Sequence, residues 1–210
     1  MKKVMGIFLM IISAFLISGC GNDFFYFKEK AANIDGYKYY TITQKVSNDK
    51  LVLYEKNISV YFNENLIKVI TNIKEINGYD SDKLYDTSSN EFYVDGDTLY
   101  YLDNNEWKTK TNDFDSKVEV NIEKNYFESY SIVKKDGKKI FKGLLKKESL
   151  KDFLGYDLDG EQNITFNIET NQNKILTYMG LTYVSSNGND VAITFKPNYS
   201  YVLDFNLPVN

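Results

Sequence analysis

Cys20 is the only thiol in this chain of 210 residues, which also has no histidine. A lone cysteine can act as a nucleophile or carry a covalent group, but it cannot form an internal disulfide, a CxxC metal knuckle or an iron-sulfur cluster. Without imidazole there is no Ser-His-Asp or Cys-His relay, no histidine general base near neutral pH and no His-ligated zinc or haem. All 25 basic side chains are lysine, so the planar guanidinium that grips phosphates and base edges in bidentate fashion is missing as well. Chemistry is therefore left to Cys20, to carboxylates, and to serines near lysines.

Asp95-Gly96-Asp97 and Asp157-Leu158-Asp159-Gly160-Glu161 gather oxygen donors, but neither has the twelve-residue calcium-loop spacing. They read as loop acids, and no metal is expected. Glycoside hydrolysis needs two carboxyl groups at a set separation, and linear spacing singles out no such pair. Ser149-Leu150-Lys151 lacks SxxK spacing, and helix capping accounts for the serine. The expectation is a protein that is not an enzyme and uses no cofactor. The run Lys134-Lys135-Asp136-Gly137-Lys138-Lys139 has two readings: a basic hairpin tip touching anionic lipid or a teichoic-type polymer, or a solvated turn that blunts a sheet edge.

The setting of Cys20 is more telling. Lys2 and Lys3 precede an apolar run from Val4 to Ile17, broken by Gly6 and Ser13, and Ser18-Gly19-Cys20 follows. Fourteen residues are too few for a hydrocarbon core that needs about 20, and the pattern is that of a signal peptide. Ile17-Ser18-Gly19-Cys20 resembles a bacterial lipobox, which implies cleavage between Gly19 and Cys20 and transfer of a diacylglyceryl group to the Cys20 sulfur. Two acyl chains anchor stably where one is marginal. The expected location is the outer face of the cytoplasmic membrane of a Gram-positive-type cell, with the membrane as partner through lipidated Cys20. Losing Lys2 and Lys3 leaves 23 lysines against 29 acids, a net −6. That charge disfavours nucleic acid, which is bound by neutralising phosphates. The Lys, Asn, Ile and Tyr bias resembles proteins of AT-rich genomes.

These readings divide the chain into a signal peptide at 1–19, a lipidated tether at 20–36 and a single domain at 37–210. In the tether, Phe24-Phe25-Tyr26-Phe27 suits either a membrane interface or the opening of the first ordered element. From Tyr37 the signal is β, with β-branched and aromatic residues alternating with polar ones between Asn, Asp and Gly turns. Strands are expected at 37–46, 51–62, 66–76, 90–94, 98–102, 117–122, 126–134, 138–145, 163–169, 174–184, 191–196 and 200–207. Asp95-Gly96 and Asp136-Gly137 suit type I′ turns. One segment, 148–155, has helical spacing and a terminal glycine, and a weaker helix near 80–88 would be capped by Ser81.

This succession resembles the LolA and LppX-type superfamily of lipoproteins and lipoprotein carriers. The resembling residues are the hairpin Tyr93-Val94-Asp95-Gly96-Asp97-Thr98-Leu99-Tyr100-Tyr101 with Asn105-Glu106-Trp107, then Ile140-Phe141-Lys142-Gly143 with the helix at 148–155. Ile164-Thr165-Phe166-Asn167-Ile168-Glu169-Thr170 and the terminal Phe205-Asn206-Leu207-Pro208-Val209 follow. The resemblance implies an α+β, mostly β fold: a strongly curved antiparallel sheet, an incomplete barrel, with one or a few short helices on its concave side around a cavity for acyl chains. Alternation places Phe92, Val94, Leu99 and Tyr101 on one face of the hairpin, and these, with Trp107, are the expected ligand-binding residues. The leading expectation is a membrane-anchored lipoprotein that binds or carries a lipid or other apolar ligand. The rival is a surface or sensor lipoprotein docking a protein or cell-wall partner.

Overall fold

The alternating segments pair into a single open sheet of eleven antiparallel strands in the computed structural model, which describes residues 23–77, 84–118, 120–154, 162–200 and 203–208. The signal peptide, Cys20, the Ser81 cap and the acids Asp157, Asp159 and Glu161 lie outside those residues. In chain order the strands are β1 (Tyr39–Asn48), β2 (Leu51–Asn63), β3 (Leu66–Ile76), β4 (Tyr85–Asp95), β5 (Thr98–Asp103) and β6 (Glu106–Thr111), then β7 (Phe127–Lys135), β8 (Lys138–Leu145), β9 (Gln162–Thr170), β10 (Leu176–Val184) and β11 (Asp190–Asn198). Their spatial order is β6-β5-β4-β3-β2-β1-β11-β10-β9-β8-β7. The chain thus lays down one half of the sheet from the middle to an edge, crosses to the far edge, and meanders back until β11 closes beside β1. The sheet is curved and does not close into a barrel, so the expected mostly β, incomplete-barrel class holds.

Register decides which side chains share a face, because directly opposed residues point the same way. Starting from Tyr40, the pairings run through Val60, Val69, Phe92 and Tyr101 on one side. From Ile42 they run through Phe195, Met179, Ile168, Phe141 and Ile132 on the other. This is the inner face. Val60, Ile168 and Phe141 are fully buried on it, each worth about 1.5–3 kcal/mol of transfer free energy. The outer face carries Thr41, Thr43, Ser59, Asn57 and Asn72 at the intervening positions, the polar alternation of a half-solvated antiparallel sheet.

Three elements cover the inner face. Helix α1, at 23–32, corrects the expected tether: Phe24, Phe27 and Ala31 recur at i, i+3 and i+7 and are buried in the core, the spacing of one helix face. The second covering element is the crossover at 112–122, here called the strap. A strand is expected over 117–122, but the described residues of that segment join no ladder. Its alternation reflects an extended chain with one side buried, Phe114, Val118, Val120 and Ile122 packing onto the core. Helix α2 (Leu150–Leu154), entered through a 3-10 turn at Lys147–Ser149, meets the helical expectation at 148–155.

Other differences are local. Residues 85–88, expected to be helical, are the start of β4. Of the strand expected at 200–207, residues 203–207 lie outside the sheet ladder. Strand β6 was missed, although Asn104 and Asn105, both at positive φ, form the turn that launches it, and asparagine tolerates that conformation well. Asp136 and Gly137 both take positive φ between paired Lys135 and Lys138, as a type I′ turn requires. In the β4–β5 hairpin Asp95 instead pairs with Thr98, so the turn is Gly96-Asp97 and only Gly96 has positive φ.

Candidate functional site

Between the strap and the middle of the sheet lies a cavity of about 300 Å³. Its floor is the inner face of β1 and β9–β11: Ile42, Phe166, Met179, Leu181, Ile193 and Phe195. Val118 and Val120 of the strap and Phe153 of α2 form the cover, and Asn121 is the one amide side chain in the lining. An apolar lining with few polar groups, at the small end of the ~300–1,000 Å³ range, is the usual form of a small-ligand site.

The cover is held from both ends. Asn112 starts the strap by donating its backbone N–H to Asp97 O at 2.8 Å and its Nδ2 to Gly96 O at 3.2 Å. Phe114 then packs edge-on to Phe92, with ring centroids 5.2 Å apart. The Tyr40 hydroxyl donates to Ser116 O at 3.0 Å. Further along, Val120 N–H donates to Ala31 O of α1 at 2.9 Å. Burial under the strap raises the Tyr40 phenol well above its usual range, with neighbouring Tyr37 and Asp115 adding to the effect. The α2 side is held by apolar contact: Leu150 is buried, and Phe153 meets Phe166 edge-on at 4.9 Å.

The expected ligand residues are divided by the register. Phe92 faces Tyr101 and Val94 faces Leu99 on the inner face. Phe92, Leu99 and Tyr101 line a shallow open groove of about 580 Å³ with Phe114, Lys110 and Asp113. Val94 is buried and is not in that lining. Trp107 pairs with Leu102 and so lies with Tyr93 and Tyr100 on the outer face. It packs against Tyr93 at 5.4 Å, while Phe205 of the C-terminal segment covers Tyr93 from 6.2 Å. Trp107 therefore does not join Phe92, Leu99 and Tyr101, because a two-residue turn after Asp103 sets the parity of β6.

None of these five residues lines the cavity under the strap, which draws on β1, β9, β10, β11, the strap and α2. Sequence reasoning missed it because its lining is scattered over more than 150 residues, although the alternations Met179-Leu181 and Ile193-Phe195 were legible as inward-facing pairs. Among the described residues no group of three or more carboxylates or thiols converges in a way that could hold a metal. None of the described helices is long and apolar enough to cross a membrane.

No protein-family model and no curated protein matches the chain. Among solved structures the chain is similar to LprF from Mycobacterium bovis, at 12% identity over 81% of this chain and 90% of that one, with a TM-score of 0.42.

Proposed function

We propose that this chain is a lipid-anchored extracytoplasmic binding protein that holds a single apolar chain in the cavity beneath its strap. The observation that carries the reading is the cavity itself: about 300 Å³ of mostly apolar space on the inner face of the sheet, partly covered by the strap and α2. At about 30 Å³ for a water-sized group it holds about ten such groups. That suits one acyl segment. Burying such a segment releases about 0.8 kcal/mol per methylene, so hydrophobic transfer alone suffices for binding, and Asn121 offers one polar contact. The lipobox at Ile17-Ser18-Gly19-Cys20 supplies the anchor, with cleavage after Gly19 and the membrane as partner through the lipidated Cys20 sulfur.

Solvent extraction of the purified protein followed by mass spectrometry tests the binding. The expected result is a stoichiometric single-chain lipid or similar apolar molecule, lost in an Ile193→Trp variant that fills the cavity from β11. An extract without such a molecule, together with identical apolar-probe binding by the variant and the parent, would refute the proposal.

A further inference from the structure

The lysine-rich turn is the one sequence motif that the cavity leaves without a role, and the fold places it beside the start of α1. Lys139 of β8 pairs with Asp23 at 2.9 Å and Lys134 of β7 pairs with the same carboxylate at 3.4 Å. These bonds hold Asp23 below its usual carboxylate range, the hydrogen bond from Lys139 being the largest cause. Apolar packing locks the same junction: the Phe24 ring lies 5.3 Å from Tyr130 of β7 and 5.8 Å from Phe141 of β8. One turn on, the Tyr26 hydroxyl donates to Thr170 at 3.0 Å and Lys139 lies over the Tyr26 ring. The beginning of α1 is therefore fixed to the β7–β8 hairpin and cannot swing away from it as a free linker would.

Two further observations give this junction a direction. Lys135 and Lys138 at the tip are exposed and, among the described residues, have no ion-pair partner. The exposed Lys174 belongs to the adjoining β9–β10 turn, whose Gln172 donates to Asp136 O. Phe25 points away from the core and is 68% exposed, more than any other large hydrophobic residue described. Cys20 precedes Asp23 by three residues, a span of at most about 11 Å of extended chain. A lipid on that sulfur therefore keeps the hairpin close to the bilayer surface, where charged groups are screened only over about 8 Å at physiological salt.

We infer that the β7–β8 hairpin and Phe25 form a membrane-contact face, on which Lys135, Lys138 and Lys174 engage anionic lipid headgroups and Phe25 enters the interface. The inference rests on the lipidation of Cys20 proposed above. Aromatic rings favour that depth, and each lysine near an anionic surface shifts the docked-to-undocked ratio by about fivefold, equivalent to about 1 kcal/mol. The acidic turn at Asp95, Asp97 and Asp113 lies across the sheet from the lysines, on the β4–β6 half. An anionic surface therefore selects one edge of the domain although the chain as a whole is negative.

The test uses the intact lipidated protein in phosphatidylglycerol vesicles. Lipidation blocks Cys20, so Lys138→Cys supplies a unique thiol for a fluorophore, and Lys50→Cys in the β1–β2 turn at the opposite end of the sheet is the control. Spin-labelled lipids are expected to quench the label at 138 several-fold more than that at 50. In phosphatidylcholine vesicles, or after Lys135→Gln with Lys174→Gln, the docked-to-undocked ratio should fall by about 25-fold for the two charges. Equal quenching at the two positions with Cys20 blocked would overturn the contact face alone. A second reactive thiol at Cys20 would overturn the anchor, and the contact face with it.

Discussion

Removing the Phe153 ring is the sharpest perturbation of the cavity, because α2 is only five residues long and a helix of that length has no independent stability. Docking alone keeps it in place, through Leu150 and through the edge-on contacts of Phe153 with Phe166 at 4.9 Å and Tyr126 at 6.3 Å. Truncating a fully buried phenylalanine to alanine costs about 3–5 kcal/mol. Phe153 is half-buried, which reduces that to about 2 kcal/mol, and the lost ring pairing adds about 0.5–1.5 kcal/mol to the cost. Phe153→Ala should therefore lower the unfolding free energy by about 2.5–3.5 kcal/mol in urea titration, without changing the m-value. The same ring lines the cavity. If a bound chain covers about a quarter of the ~200 Å² an aromatic side chain presents, ~50 Å² of contact is lost. At ~25 cal/mol per Å² this is ~1.3 kcal/mol, or about tenfold in Kd for an apolar fluorescent probe. A destabilisation below about 0.5 kcal/mol with unchanged probe affinity would refute the argument that α2 forms part of the cavity wall.

Other outcomes follow from the packing. Trp107 is the only tryptophan and lies on the outer face, so apolar-probe binding should leave its emission unmoved, whereas Phe205→Ala should expose the Tyr93–Trp107 pair and shift the emission to the red. Two glycines should respond oppositely to alanine, as urea titration can show. A Cβ on Gly143 meets the rings of buried Phe127 and Phe141, costing about 1–3 kcal/mol, while on Gly180 it meets only the end of the half-buried Tyr178 side chain, which can move aside. The Tyr40 phenol is raised by burial, and that of Tyr199 is pushed up to about 12 by the same cause. Because the folded values exceed the usual ~10, the stability these groups contribute is complete below pH 10 and is lost as pH rises through the folded values. A spectrophotometric phenolate titration should show them ionising late, with unfolding; full titration of all tyrosines near pH 10 in the folded protein would contradict this.

Much of the sheet was legible because period-2 alternation is a direct record of one buried face. The expected 66–76 and 138–145 coincide with β3 and β8, and Asp136-Gly137 forms its turn where glycine permits positive φ. The same signal misled at 117–122, since alternation records an extended backbone over a core and is silent on whether a neighbouring strand pairs with it. Helix α1 was obscured for a different reason. Four consecutive aromatics at 24–27 drew attention as a cluster, while the determining pattern was Phe24, Phe27 and Ala31, three residues that read as a helix only once a partner surface exists for them.

The candidate site was less legible than the fold, and the cause is topological. Inward-facing residues can be read strand by strand, but whether an inward residue lines a void or fills the core depends on which segment crosses above it. β6 and β7 are consecutive in the chain and occupy opposite edges of the sheet, so residues 112–126 must traverse it. Their path over the inner face leaves the β4–β5 groove at Phe92, Leu99 and Tyr101 open and roofs the β9–β11 floor. The aromatic richness of the β4–β5 hairpin pointed to the inner face, and the proposed cavity lies on the same face over the other half of the sheet. The deciding residues, Val118 and Val120, are small and unremarkable by composition, and they become part of a site only because the two edges of the sheet have to be joined.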